Sequence, residues 1–207
     1  MRILVACEFS GIVRDAFRAI GHDAWSCDLL PCEANPQFHL QGDVREHVGE
    51  DGRGEYGKWE CLIAFPPCTH LASSGARWFK EKQKEQSEAV AFVKWLDDLP
   101  IPHRVIENPI GVLSTRFRKP DQIIQPWQFG HGETKATCLW LHNVAKLKPT
   151  NIVGGRVPRV HYASPGPDRW RERSRTLPGI ASAMADQWGK RYTCFGTGEV
   201  AEFRCAQ

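Results

Sequence analysis

Short apolar runs, each closed by a turn and two of them followed by a helical pattern, constrain the fold of this chain more than any other feature. ILVAC (residues 3–7) is rich in branched side chains. Behind it, SGIVRDAFRAIG sets Ile12, Val13, Ala16, Phe17 and Ile20 at helical spacing, with Gly21 as the stop. HDAWSCDLL is a second strand-like run ending near Asp28, and ECLIAF (60–65) a third, stopped by Pro66 and Pro67. Residues 80–97 then place Ala89, Phe92, Val93 and Leu96 on one helical face and turn the KEKQKEQ run outward. PHRVIENP ends a further strand at Glu107 and Asn108, and ATCLWLHNV (136–144) is a later one. Strands alternating with helices predict an α/β fold of the Rossmann-like, doubly wound kind. Its parallel sheet is flanked by helices on both faces, and ligands gather at the carboxyl ends of the strands.

A chain of 207 residues with 42% hydrophobic content suits one domain with a sizeable core. No run of 18 apolar residues is present, and MRILVACEF enters a strand without the pattern of a signal peptide, so a cytoplasmic protein away from membranes is expected. The eight cysteines are then expected as free thiols, with Cys7, Cys27, Cys61 and Cys138 in apolar runs. No C-x-x-C pair occurs, and Cys68 with His70 lacks a second ligand pair, so no metal site is expected. Charge is uneven. Between Asn143 and Arg175, Lys146, Lys148, Arg156, Arg159, Arg169, Arg171, Arg173 and Arg175 outnumber Asp168 and Glu172. That is a net +6, which leaves −3 for the remainder of a chain whose total is +3. With Tyr162, Trp170 and several prolines and glycines interleaved, the segment reads either as loops for phosphate contacts and base stacking or as a solvated surface.

On the predicted scaffold the polar residues converge. Glu8 to Gly11 follow the first strand, Asp28 the second and Asp43 a possible short third; Cys68 follows ECLIAF, and Glu107 with Asn108 ends RVIENP. All would crowd one edge of the sheet. EFSGIV is not G-x-G-x-x-G, so a cofactor with a ribose and no pyrophosphate fits better than a dinucleotide. Each residue also has a plainer reading. Cys68 could be an inert thiol, Glu107 could cap a helix or pair with Arg104 or Arg116, and Asp28 and Asp43 could be ordinary turn residues.

The ordered series EFSG (8–11), Asp28, GDV (42–44), PPC (66–68) and ENP (107–109) resembles the 5-cytosine DNA methyltransferases over roughly residues 3–142. The resemblance implies S-adenosylmethionine as methyl donor, contacted by Glu8, Phe9, Ser10, Gly11, Asp28, Asp43 and Pro66. Asp28 would take the ribose and Asp43 would lie near the adenine. It further implies Cys68 as the nucleophile that adds to carbon 6 of cytosine, activated by a lowered pKa, and Glu107 at the ring nitrogen at position 3. Asn108 would fix its loop or contact the base. The family's Gln-x-Arg-x-Arg segment is replaced by QPWQFGHGETKATCLWL, which offers Gln125, Gln128, His131, Glu133 and Lys135 but no arginine, so the role would pass to Lys135.

On this reading residues 1–142 form the cofactor-binding catalytic core, 143–175 a minimal basic recognition segment for DNA, and 176–207 a helical return to the core. So small a segment implies a short or relaxed target sequence, with single strands a possible preference. A free pyrimidine nucleotide or RNA as substrate, or a catalytically idle nucleic-acid-binding relative, are the alternatives.

Overall fold

The computed structural model describes residues 1–55, 57–162, 166 and 169–189. Cys194, Cys205 and Asp168, like the end of the 176–207 segment, lie outside the described residues. The chain opens with β1 (Arg2–Ala6) and α1 (Ile12–Ala19), followed by β2 (Asp23–Asp28) and β3 (His39–Gln41). A single turn, α2 (Val44–His47), leads to the hairpin of β4 (Arg53–Gly54) with β5 (Gly57–Lys58), and then to β6 (Cys61–Ala64). The long α3 (Gln83–Asp98) precedes β7 (His103–Pro109), and α4 (Leu113–Arg116) precedes β8 (Gln122–Ile124) and β9 (Thr137–His142). Three helices follow, α5 (Arg159–Tyr162), α6 (Arg169–Ser174) and α7 (Pro178–Met184), the last running on as a π-helical turn over Ala185–Gly189. The basic segment expected as loops therefore contains α5 and α6.

Seven strands form one sheet in the order β3-β2-β1-β6-β7-β9-β8. The Rossmann-like α/β class is as expected, with one correction: β9 runs antiparallel to both β7 and β8, so the sheet is mixed rather than wholly parallel. Strand composition does not encode direction. A parallel return needs a crossover, usually a helix, whereas residues 125–136 hold only a 3-10 turn at Pro126–Gln128.

The apolar runs are explained by burial on both faces. Leu4, Ala6, Leu62, Ala64 and Ile106 pack with Val90, Val93 and Leu96 of α3, while Ile3, Val5, Ile63 and Val105 pack with Val13 and Phe17 of α1 and with Ile180 and Met184 of α7. Alternate residues of β1, β6 and β7 thus serve opposite layers. The chain runs outward from β1 to β3 and then crosses back to β6, so strand order reverses between β1 and β6, which is where ligands sit in open sheets of this type.

Candidate active site

Because β1, β2, β3, β6 and β7 are parallel, their carboxyl ends share one edge of the sheet. Antiparallel β9 brings its amino end to the same edge, where Thr137 is in register with Pro109. Lys135, two residues before Thr137, is thereby delivered beside Glu107.

The turn after β1 is built inward. Gly11 has φ 74°, in the left-handed region, and a Cβ there would lie 2.6 Å from Arg14 Nη2, so glycine is required on both counts. Glu8 Oε1 accepts from Val13 N at 2.6 Å and from Ser10 Oγ at 3.2 Å, and Oε2 accepts from Arg14 N at 3.3 Å. These bonds satisfy free amides at the amino end of α1. The Glu8 and Ser10 side chains are therefore engaged beneath the turn rather than presented to a ligand. Phe9 is buried against Trp170, with ring centroids 5.9 Å apart.

Burial raises the Glu8 carboxyl to about 7, against the pull of its hydrogen bonds. A carboxyl that holds its proton longer when folded contributes fully below the ordinary value of 4.5 and loses that contribution as pH rises through about 7. Glu8→Gln should therefore flatten the decline in thermal stability across this window by on the order of 3 kcal/mol. Parallel pH–stability curves for the two proteins would show that the folded carboxyl is already ionised there.

Asp28 and Asp43 do face open space. With Cys7, Gly42, Pro67 and Phe92 they line a cavity of about 190 Å³, smaller than the roughly 300–1,000 Å³ of typical small-molecule sites but enough for part of a nucleoside-bearing ligand. Burial raises the Asp28 pKa, and its Oδ1 accepts from Leu30 N at 3.0 Å. Asp43 caps α2 through Arg45 N and pairs with Arg45 Nη1 at 3.1 Å, so it serves its turn as well as the cavity. Two acids at one cavity can accept hydrogen bonds from the hydroxyl or amino groups of a ligand. Pro67, not Pro66, contributes to this wall; sequence alone also missed Cys7 and Phe92, whose apolar settings read as core.

The Pro-Pro-Cys loop is held from β7. Buried Asn108 donates from Nδ2 to Pro66 O at 2.8 Å, and its Oδ1 is buried without a hydrogen-bond partner. Cys68 is exposed at the end of this loop, and its carbonyl accepts from Leu71 N and Ala72 N. Its thiol departs from expectation: crowding by protein and the Glu107 carboxylate raise its pKa, opposed by Lys135 and Arg173. The segment after Cys68 forms a 3-10 turn over Ser73–Trp78 rather than an α-helix starting at the cysteine. Glu107 is pushed up by burial, opposed by Lys135 and by a hydrogen bond from Thr137. It lines a crevice of about 20 Å³ together with Phe65, Lys135, Thr137, Ser174, Arg175 and Leu177; Cys68 is not part of that lining. Such a volume admits a water molecule but no pyrimidine ring.

Lys135 is fastened as well as charged, since its N–H donates to Gln125 Oε1 at 3.0 Å and its Nζ donates to Arg173 O at 2.7 Å. Gln128 closes the same turn by accepting from Gln125 N, and His131 Nε2 accepts from Gly179 N, linking it to α7. Within the basic segment, Arg175 and Arg171 pair with Glu33, Arg156 stacks over Trp127 at 3.8 Å and Arg159 lies 3.8 Å from Glu133. Several of its cations thus have partners within the chain. Glu33 carried no local signal, because its partners lie far away in sequence.

No protein-family model matches the chain, and no curated protein matches it. Its fold is similar to a crystal structure assigned as a DNA modification methyltransferase encoded within an E. coli prophage. The TM-score is 0.52 at 13% identity, over 80% of this chain and 55% of that one. The chain therefore spans little more than half of that neighbour's length, and the likeness establishes a methyltransferase-like α/β fold.

Proposed function

We propose that this protein transfers a methyl group from S-adenosylmethionine to carbon 5 of cytosine in DNA. The observation that carries the reading is the pairing of an exposed cysteine, Cys68, with a buried carboxyl, Glu107, at the ends of adjacent parallel strands, with the Asn108–Pro66 bond joining their loops and Lys135 beside both. Carbon 5 of cytosine is a poor nucleophile until a group adds at carbon 6, and a thiolate is the side chain best suited to do so. Cys68 sulfur forms that bond. The electron pair displaced toward the ring nitrogen at position 3 is met by a proton from Glu107, which burial keeps toward its protonated form. Lys135 offsets the negative charge that the two groups would otherwise share.

Asp28, Asp43 and Gly42 would hold the cofactor, which when bound supplies an electrophilic methyl group on a sulfonium. Loss of the carbon 5 proton to water, return of the ring-nitrogen proton to Glu107 and cleavage of the carbon–sulfur bond then restore the double bond and the Cys68 thiolate. The test is mass spectrometry of nucleosides from cells making the protein, paired with methyl incorporation into duplex DNA, single-stranded DNA, RNA and dCMP. The expected product is 5-methylcytosine in DNA; methylation confined to RNA or dCMP, or none at all, would replace this reading with one of the others.

A further inference from the structure

One carboxylate gathers Arg171 of α6 and Arg175 just beyond its end. Glu33 lies in the connection between β2 and β3, and its N–H donates to Phe9 O at 2.9 Å. Its carboxylate accepts from Arg175 Nε at 2.8 Å and from Nη2 at 2.7 Å, one bond to each oxygen. Arg171 Nε lies 3.3 Å from Oε1, outside hydrogen-bond geometry. Side-chain exposures of 25%, 38% and 41% for Glu33, Arg171 and Arg175 put the cluster at an open rim.

A planar guanidinium fork that takes two oxygens of a carboxylate takes two oxygens of a phosphodiester equally well. A partly exposed pair is also held weakly enough to be exchanged for a stronger anion. Around the cluster, Trp170 is half exposed with Arg171 5.7 Å from its ring, and the next turn of the chain walls the Glu107 crevice through Ser174 and Arg175. The rim therefore borders the site where a nucleotide would have to enter, and the crevice is too small to receive a base while α6 stays in place.

We propose that Arg171 and Arg175 form a phosphodiester-binding site that Glu33 occupies in the free protein, so that a DNA strand takes the arginines from Glu33 as it binds. The site rests on the reading of DNA as substrate. Binding then releases α6 from the β2–β3 connection, which couples phosphate contact to opening of the crevice. The hold of both arginines on Glu33 agrees with the lowering of its pKa by Arg175 first and Arg171 last.

The experiment is fluorescence anisotropy with a labelled, cytosine-containing oligonucleotide and the full chain, without cofactor, over a series of salt concentrations. Glu33→Gln frees the fork and should tighten binding about 2- to 5-fold, the size of one exposed ion pair. Replacing both arginines by glutamine should weaken binding and reduce the slope of log affinity against log salt by about 2. In that double-arginine background the gain from Glu33→Gln should vanish, which separates a specific exchange from the general benefit of losing a negative charge. A Glu33→Gln protein that binds no tighter than wild type, a gain that persists without the arginines, or a wild-type chain that does not bind DNA overturns the site. Methyl incorporation is measured in parallel. Methylation without the Glu33 effect rejects the site and leaves the proposed activity standing, while the Glu33 effect without methylation keeps the site and rejects the activity.

Discussion

Cys68→Ser should abolish methyl incorporation into DNA while leaving the fold and the cofactor cavity intact. A serine hydroxyl is essentially un-ionised at neutral pH and cannot add to carbon 6 at a useful rate, so the loss should be on the order of 10⁴-fold or more, as for other nucleophile deletions. Cys68 is exposed and forms no part of the wall that holds Asp28 and Asp43. Thermal stability should consequently stay within about 0.5 kcal/mol of wild type. Cofactor affinity, read by calorimetry, should also be unchanged. Residual methylation within tenfold of wild type would remove the covalent mechanism, whatever else the protein does.

Glu107→Gln is expected to lower kcat by about 10²- to 10⁴-fold, the usual share of a positioned proton donor, with a much smaller change in KM for DNA. The amide can still hydrogen-bond to the base but has no proton to give up. A second readout does not depend on turnover. The Glu107 carboxylate is one of the groups that hold the Cys68 thiol above its ordinary pKa, whereas Lys135 acts in the opposite sense. At a pH high enough to ionise Glu107 in the wild type, removing that charge must lower the thiol pKa, so Cys68 in Glu107→Gln should react faster with iodoacetamide than in wild type. Lys135→Met should react more slowly. If both variants alkylate at the wild-type rate, the two groups are too well shielded from the sulfur to share its chemistry.

Much of the architecture was legible because its determinants are local. A run such as Ile3–Val5 must be buried on both faces, and Ile12, Val13, Ala16 and Phe17 must share one helical face, wherever the rest of the chain goes. The carboxyl end of a parallel strand is then a predictable place for Asp28, Cys68 and Glu107. Glu8 lies in the turn after β1, and its carboxylate completes α1, because the glycine at the helix start has no side chain with which to satisfy the Val13 and Arg14 amides.

The helix read for residues 80–97 and the one observed at Gln83–Asp98 differ only at their ends, where local signals are weakest. The place of Lys135 in a replaced motif points to it. What sets it beside Glu107 is the reversed direction of β9, together with anchoring by Gln125 and by the Arg173 carbonyl. The thiol of Cys68 was expected to be activated and is instead held up by its surroundings, a balance of burial and three charges that arrive from separate elements.

The amino-acid sequence alone determined which segments become the main strands and the longer helices, and which chemical groups stand at the strand ends, since both follow from patterns repeated every two to four residues. Only the tertiary structure decided the direction of β9, the inward turn of Glu8, and the pairing of Arg175, just past α6, with a carboxylate 142 positions away. Those outcomes depend on the path of the connections and on electrostatics between groups distant along the chain. No local periodicity carries that information.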